Sequence, residues 1–324
     1  MSSRGRWASA NRGRDDDRTA RPAGGRRGRK IHARRGPRTF QPVSASPLAT
    51  LRALPWRLLR SGACDGLTNM ATDLALLDHA RRTGEATLRL YAWTRPTLSL
   101  GRHERARGVF DLRALRTAGI DVVRRPTGGR ALLHDHEVTY AVAAPAAAGS
   151  LGETYRAVNA LLRAALGSLG VRVDEAGRAR RHGGADAAGH AAAPTPLRPD
   201  GAPCFAEPAP GELVVDDAKL VGSAQWRDDG AWLQHGSILL DDDQPRIAAL
   251  RRPTNIAPMA VAPAATLRSA LGRDIEREEV EDAMVAAFRD RMGQPMDQYP
   301  PALSEWDLRR HLEALADPTW VWRR

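Results

Sequence analysis

Of the 49 Lys and Arg residues in this 324-residue chain, only Lys30 and Lys219 are lysine. A composition that has replaced lysine almost everywhere should keep it where a guanidinium cannot substitute. Lysine carries a compact charge that can polarise a carbonyl or steady an acyl group, whereas arginine is planar and permanently protonated. Lys219 opens the run Lys219-Leu220-Val221-Gly222-Ser223-Ala224-Gln225, a strand with a glycine in its middle where a ligand can approach the backbone. The next strand carries Gln234-His235-Gly236-Ser237. Against this stands the plainer reading of a chance surface lysine at a hairpin turn. Upstream, Cys204 in Ala202-Pro203-Cys204-Phe205 sits where a loop becomes a strand. A thiol near a lysine and glycine-lined backbone has the surroundings of a nucleophile, although a lone cysteine also serves as a small buried hydrophobe.

A second group of residues is Arg124-Arg125-Pro126-Thr127-Gly128-Gly129-Arg130. Paired glycines permit positive φ and close approach of a ligand, and flanking arginines such as Arg125 and Arg130 offer bidentate donors to phosphate or carboxylate. The run lacks the Gly-Lys-Ser/Thr ending of a P-loop and the spacing of a dinucleotide site, so an ordinary glycine turn remains open. His134-Asp135-His136-Glu137 has metal-ligand residue types. Placed in one strand running from Ala131 to Val142, however, they alternate faces, His134 and His136 one way and Asp135 and Glu137 the other, which favours strand-end polarity over a metal site. His182 and His190 are too far apart and too poorly accompanied to suggest one.

These residues need elements to position them. Leu67, Met70, Ala71, Leu74 and Leu77 fall at helical spacing behind Asp65 and Thr68, with Gly84 as the stop. Tyr155, Val158, Leu161, Leu162, Ala165 and Leu169 mark a second amphipathic helix ended by Gly170. Strands are predicted over 87–93, 97–100 and 121–125, with a short helix over 111–117. Three more strands, 212–215, 218–226 and 231–240, are separated by Asp216-Asp217 and Asp228-Asp229-Gly230 and form an antiparallel meander. A last helix covers 276–292. Clustered strands and helices without a repeated βαβ unit indicate an α+β fold with a mixed or antiparallel β-sheet and packed helices.

Composition bounds the rest. The chain is 42% hydrophobic and can bury a sizeable core. No run of about 18 apolar residues and no secretory core near the start is present, and two cysteines make no disulfide framework, so a soluble, cytoplasmic protein is expected. Residues 1–40 hold thirteen Arg or Lys against Asp15, Asp16 and Asp17, which accounts for nearly all of the net +11 and leaves the body neutral. The tail is expected to be disordered, either a solvated tail or sequence ahead of the true start. A second biased stretch, 178–203, reads as a flexible loop, and Cys64 reads as structural. The expected organisation is a disordered Arg-rich N-terminal tail over 1–50, a catalytic domain over 51–292 and a C-terminal extension over 293–324.

The motifs Arg-Arg-Pro-Thr-Gly-Gly-Arg-Ala-Leu-Leu-His-Asp, Cys-Phe, Lys-Leu-Val-Gly-Ser-Ala-Gln and Leu-Gln-His-Gly-Ser-Ile, in that order over roughly 56–292, resemble the catalytic domain shared by biotin and lipoate protein ligases and the related octanoyltransferases. Cys-Phe ahead of the lysine strand and Thr-Gly-Gly-Arg make the chain similar to the cysteine-type octanoyl-carrier-protein:protein octanoyltransferases. The resemblance implies a biotin/lipoate ligase-like fold and a Cys204 nucleophile. It implies that Cys204 takes octanoyl from acyl carrier protein and passes it to a lysine of glycine cleavage H protein or of the lipoyl domains of 2-oxoacid dehydrogenases. A separate sulfur-inserting enzyme would then make lipoate. By the same resemblance Lys219 contacts the acyl carbonyl, and Gly128 and Gly129 let the chain lie against backbone. Arg125, Thr127, Arg130, Gly222, Ser223 and Gly236 line the substrate, and His134 and His235 are wall or proton-shuttle residues. No cofactor, metal, nucleic acid or membrane is implied. The alternatives are an ATP- and Mg-dependent ligase of the same fold, with Lys219 on an acyl-adenylate, and a non-catalytic acyl-carrier or RNA-binding protein acting through its tail.

Overall fold

The computed structural model describes residues 47–146, 150–177, 204–205, 208–253, 263–298 and 305–323. Most of the basic tail and the whole of the 178–203 loop, both singled out above, lie outside the described residues. The described residues form one compact unit. In chain order it contains α1 (Pro47–Arg52), β1 (Trp56–Cys64), α2 (Gly66–Thr83), β2 (Ala86–Trp93), β3 (Thr97–Leu100), α3 (Leu112–Thr117), β4 (Asp121–Arg124), β5 (Leu132–His134) and β6 (Glu137–Pro145). There follow α4 (Leu151–Ser168), β7 (Asp174–Glu175), β8 (Leu213–Val215), β9 (Ala218–Asp228), β10 (Ala231–Leu239), α5 (Arg246–Ala249), α6 (Leu267–Leu271), α7 (Arg277–Met292), β11 (Asp297–Gln298), α8 (Glu305–Ala316) and α9 (Pro318–Val321).

The fold is α+β. An eight-stranded mixed sheet runs in the order β11-β1-β2-β6-β10-β9-β8-β7, and a three-stranded sheet runs β4-β3-β5. Only the β11-β1-β2 edge of the large sheet is parallel; β2-β6, β6-β10, β10-β9, β9-β8 and β8-β7 are all antiparallel. The meander forms because its turns accept left-handed backbone: Asp216 and Asp217 have φ of 48° and 61°, and Asp229 and Gly230 have 34° and 82°. That twist matches the strands it joins. Side-chain caps open both α2 and α4. Asp65 accepts the Thr68 N–H at the head of α2, and Ser150 and Glu153 form a reciprocal capping box on α4.

Alternation sorts the large sheet's side chains onto two cores. Leu88, Leu90, Tyr140, Val142 and Trp232 face α4 and α7 through Val158, Leu161, Leu162, Met284 and Phe288. Tyr91, Ala143 and Leu233 face the opposite way, against Met70 and Leu77 of α2 and Leu315 of α8. Both faces are covered, which is why β2 and β10 are buried at every residue.

The expected strand from Ala131 to Val142 is two strands. β5 ends at His134 in the small sheet and β6 begins at Glu137 in the large one, joined by a turn at Asp135 and His136. Alternation does not carry across a turn, so the facing predicted for His134, Asp135, His136 and Glu137 is corrected: His134 and Glu137 meet rather than point apart. The site described below lies along this seam between sheets.

The large core depends on close packing of α7 against the sheet, where Phe288 is fully buried and meets Trp56 edge to face at a centroid distance of 6.0 Å. Phe288→Ala should lower the unfolding free energy by about 3–5 kcal/mol, read as a shift of the urea midpoint with unchanged slope. A midpoint within error of the wild type would show that α7 is not part of the cooperative core.

Candidate active site

Lys219 is not a surface lysine. It stands opposite Val214 in the β8–β9 pair and is 2% exposed. Its ammonium donates to the Cys204 carbonyl at 2.9 Å, to Cys204 Sγ at 3.4 Å and to Glu212 Oε1 at 2.7 Å. Burial alone would push the ammonium down. The Cys204 and Glu212 charges outweigh it and hold Lys219 above its ordinary value. Cys204 is half-buried, and its backbone N–H donates to the Ala131 carbonyl at 2.9 Å, which ties the thiol segment to the chain just after the arginine–glycine run. Phe205 packs beside it with Leu132 and Leu239. Gly222 is glycine for a packing reason: a Cβ there would lie 2.9 Å from the Phe205 ring and 3.3 Å from Lys219 Cε. A Cβ on Gly236 would run into the Gly222 carbonyl across the strand pair.

The arginine–glycine loop works differently from the simplest expectation. Arg125 turns its guanidinium inward. It donates to the Gly128 carbonyl at 3.2 Å, the Ser99 carbonyl at 2.9 Å and hydroxyl at 3.1 Å, and the Arg130 carbonyl at 2.7 Å. Burial pulls it below the usual guanidinium value against the charges of Cys204 and Glu104. Arg124 donates to the Val321 and Glu104 carbonyls at 2.8 and 3.0 Å and to the Gly101 carbonyl. Arg124 and Arg125 therefore brace the loop from within rather than reaching for a ligand. Gly129, at φ 100°, lines the cavity, whereas Gly128 does not. Arg130 is half-exposed, and Thr127 is buried against His235.

Each predicted histidine is locked by a carboxylate. His235 bonds Asp73 Oδ2 through Nδ1 at 2.8 Å and Thr127 Oγ1 through Nε2 at 2.7 Å. Asp73 Oδ1 also accepts Arg89 Nη1 at 2.6 Å, and both side chains are fully buried. Burial alone would raise Asp73, but Arg89 and then His235 outweigh it, and the carboxyl lies below its ordinary value. His134 bonds Glu137 Oε1 through Nδ1 at 2.7 Å and Ser99 Oγ through Nε2 at 2.8 Å, and stacks on Trp93 with centroids 3.9 Å apart. Ser237 donates to the same Glu137 oxygen at 2.6 Å.

The structure thus gathers Cys204, Gly222, Ser223, His134, His235, Gly236, Gly129 and Arg125 around one cavity, with Met70, Leu132 and Glu212 also in its wall; Lys219 stands behind that wall, bonded to Cys204 and Glu212. A thiol beside a buried ammonium, facing a mostly apolar chamber, is arranged to hold an acyl group as a thioester with a donor near its carbonyl oxygen. Asp73, Arg89 and Glu212 were not singled out from sequence. The first two carried a signal, an Asp on the apolar face of α2 and an Arg inside a strand buried at every position. Asp135, His136 and Asp243 cluster at the β5–β6 turn, where Arg246 already donates to both carboxylates at 2.6 and 3.0 Å. Among the described residues no helix is long and apolar enough to cross a membrane.

The family model described as Lipoyl protein ligase A/B catalytic domain matches residues 65–289. Octanoyltransferase LipM of Kyrpidia tusciae is 39% identical over 287 residues, covering 83% of this chain and 99% of that protein. Octanoyltransferase LipM of Symbiobacterium thermophilum is 39% identical over 249 residues, covering 74% and 86%. Among solved structures, that of a bi-partite lipoate protein ligase and its E2 lipoyl domain from Thermoplasma acidophilum gives a TM-score of 0.62 at 17% identity. It covers 83% of this chain and 96% of that one, a likeness of fold.

Removing the charge from Asp73 would leave Arg89 buried without its counter-ion. Asp73→Asn should cost about 3–5 kcal/mol at pH 7. Because the folded carboxyl titrates below its unfolded value, this contribution is fully present above about pH 4 and is lost as the pH falls below that. The gap between wild type and variant in thermal or urea unfolding should therefore narrow in acid; a gap that stays constant down to pH 2 would refute the ionic account.

Proposed function

The chain belongs to the lipoyl protein ligase A/B catalytic domain family, and from that premise we propose that it is an octanoyltransferase of lipoate biosynthesis working through a thioester on Cys204. The observation that carries the reading is the Lys219 ammonium 3.4 Å from the Sγ of Cys204, a residue of the cavity wall. The Cys204 thiolate attacks the carbonyl of octanoyl-acyl carrier protein. The new C–S bond forms, the carrier thiolate leaves, and the octanoyl chain lies between Leu132, Met70 and the backbone at Gly129, Gly222 and Gly236. The lysine amine of a lipoyl-accepting domain, either glycine cleavage H protein or a 2-oxoacid dehydrogenase lipoyl domain, then attacks the thioester. A C–N bond forms, the C–S bond breaks, and Cys204 is returned as thiolate while the amine proton goes to solvent.

Lys219 faces the oxygen that gains negative charge in both steps, a donor already in place before the reaction begins. Thr127, His235 and Asp73 hold the arginine–glycine loop against β10, and Ser99 and Glu137 hold His134 in the cavity wall. Thioester exchange is close to balance and amide formation is downhill, so neither step calls for ATP. An acyl-adenylate ligase would call on the loop's arginines for a phosphate; two of the three, Arg124 and Arg125, donate instead to backbone carbonyls of the protein itself.

Mixed with octanoyl-acyl carrier protein without ATP, the wild type should gain one hydroxylamine-sensitive octanoyl group by intact mass, and Cys204→Ala should gain none. Lys219→Met should slow adduct formation by about 10²–10³-fold, the loss typical of one oxyanion donor. Transfer to H protein that needs ATP and survives Cys204→Ala would overturn the reading in favour of a ligase.

A further inference from the structure

The reading above uses Cys204 and Lys219 and leaves one member of the same charge cluster without a task. Glu212 lines the cavity, is 8% exposed, and binds Lys219 at 2.7 Å through one carboxylate oxygen. Its other oxygen accepts the Ala209 N–H at 2.7 Å, and the turn is closed by the Glu212 N–H on the Ala209 carbonyl at 3.1 Å. The carboxylate is thus fixed by its own backbone rather than by Lys219, and the lysine is aimed between two fixed points, Glu212 on one side and Cys204 on the other. A buried carboxylate at hydrogen-bond distance from the ammonium is not needed to attract a thiolate, since it is itself negative and opposes one. Its value lies elsewhere in the cycle. While Cys204 is a thiolate, two negative charges surround Lys219; once Cys204 is acylated, its charge is gone and Glu212 is the anion that remains in contact with the ammonium.

We propose that Glu212 is a positioning residue that keeps Lys219 aimed and protonated through the acyl-enzyme stage, so that the second half-reaction meets the same charged donor as the first. The inference rests on the Cys204 thioester reading. The groups facing Glu212 are Lys219 on β9, the Cys204 segment, and the phenols of Tyr155 on α4 and Tyr140 on β6; burial and the Glu212 charge push Tyr155 up to about 12, so it stays neutral across the working range. No other charged group among the described residues is seen in contact with the ammonium. In the acyl-enzyme, loss of the Glu212 charge would leave a buried ammonium without a counter-ion, and such a lysine sheds its proton. The amine would still attack, the C–N bond would still form and the C–S bond break, but the oxygen gaining charge would face a neutral amine.

The test separates the two half-reactions by intact mass in full-length protein. With octanoyl-acyl carrier protein, Glu212→Gln should still form the adduct. Transfer from that adduct to H protein should slow by about tenfold or more, the scale expected when a charged donor in a dry site is lost. The slowing should grow as pH rises, over a range where wild-type transfer does not fall. Glu212→Asp, which keeps the charge on a shorter arm, should retain the wild-type pH dependence even at a lower rate. Glu212→Gln slowing both half-reactions equally with a wild-type pH profile, or Glu212→Asp sharing the alkaline loss, would overturn the role of Glu212 while leaving the Cys204 reading intact. A wild type that forms no adduct would overturn both.

Discussion

An ammonium placed in a protein interior has to be surrounded by acceptors, and that requirement organises one end of this molecule. Lys219 makes three polar contacts, two to Cys204 and one to Glu212, and the two partners come from different points along the chain. To satisfy them, the turn before β8 has to present Glu212, the strand pair β8–β9 has to hold Lys219 opposite Val214, and the Cys204 segment has to lie over β9. The last condition is met from outside the sheet. Cys204 is tethered to Ala131, and Phe205 fills the hollow left by Gly222. The glycine, the aromatic ring and the lysine stem are one packing solution, so a methyl group added at position 222 would disturb the charge cluster as directly as a change of charge.

A second buried cation sets the opposite wall. Arg89 stands in the centre of β2 and is compensated by Asp73 of α2, whose remaining oxygen orients His235. His235 in turn holds Thr127, and Thr127 belongs to the loop whose glycine lines the cavity. The helix, the large sheet and the loop are joined by charge-assisted hydrogen bonds rather than by apolar contact alone, which restricts how the loop can move. The C-terminal segment adds a brace from behind: Val321 accepts Arg124, and Trp320 donates to the Arg124 carbonyl at 3.0 Å. The residues flanking the two glycines are thereby held from both ends.

Much of the fold was legible because the signals were local. The helix start at Asp65, the stop at Gly84 and the two turns of the meander depend on residues within a few positions of one another. The error at 131–142 has an equally local cause. Nothing in Leu133-His134-Asp135-His136-Glu137 is a glycine or proline break, so a single strand is read through it. The chain instead changes sheets there, and His134 and Glu137 bond across the turn.

The amino-acid sequence alone picked out Lys219 by its rarity and Cys204 by its setting, and gave the order of elements that bring them near one another. Only the tertiary structure decided what surrounds them. Asp73 and His235 are 162 positions apart in the chain, and Arg124 and Val321 are 197 apart. Whether the loop arginines turn to a ligand or to the protein's own carbonyls, and which carboxylate accompanies Lys219, depends on where burial removes water. Spacing along the chain encodes periodicity and turns. The pairing of buried charges is set by desolvation, which acts only once distant segments have closed around the same cavity.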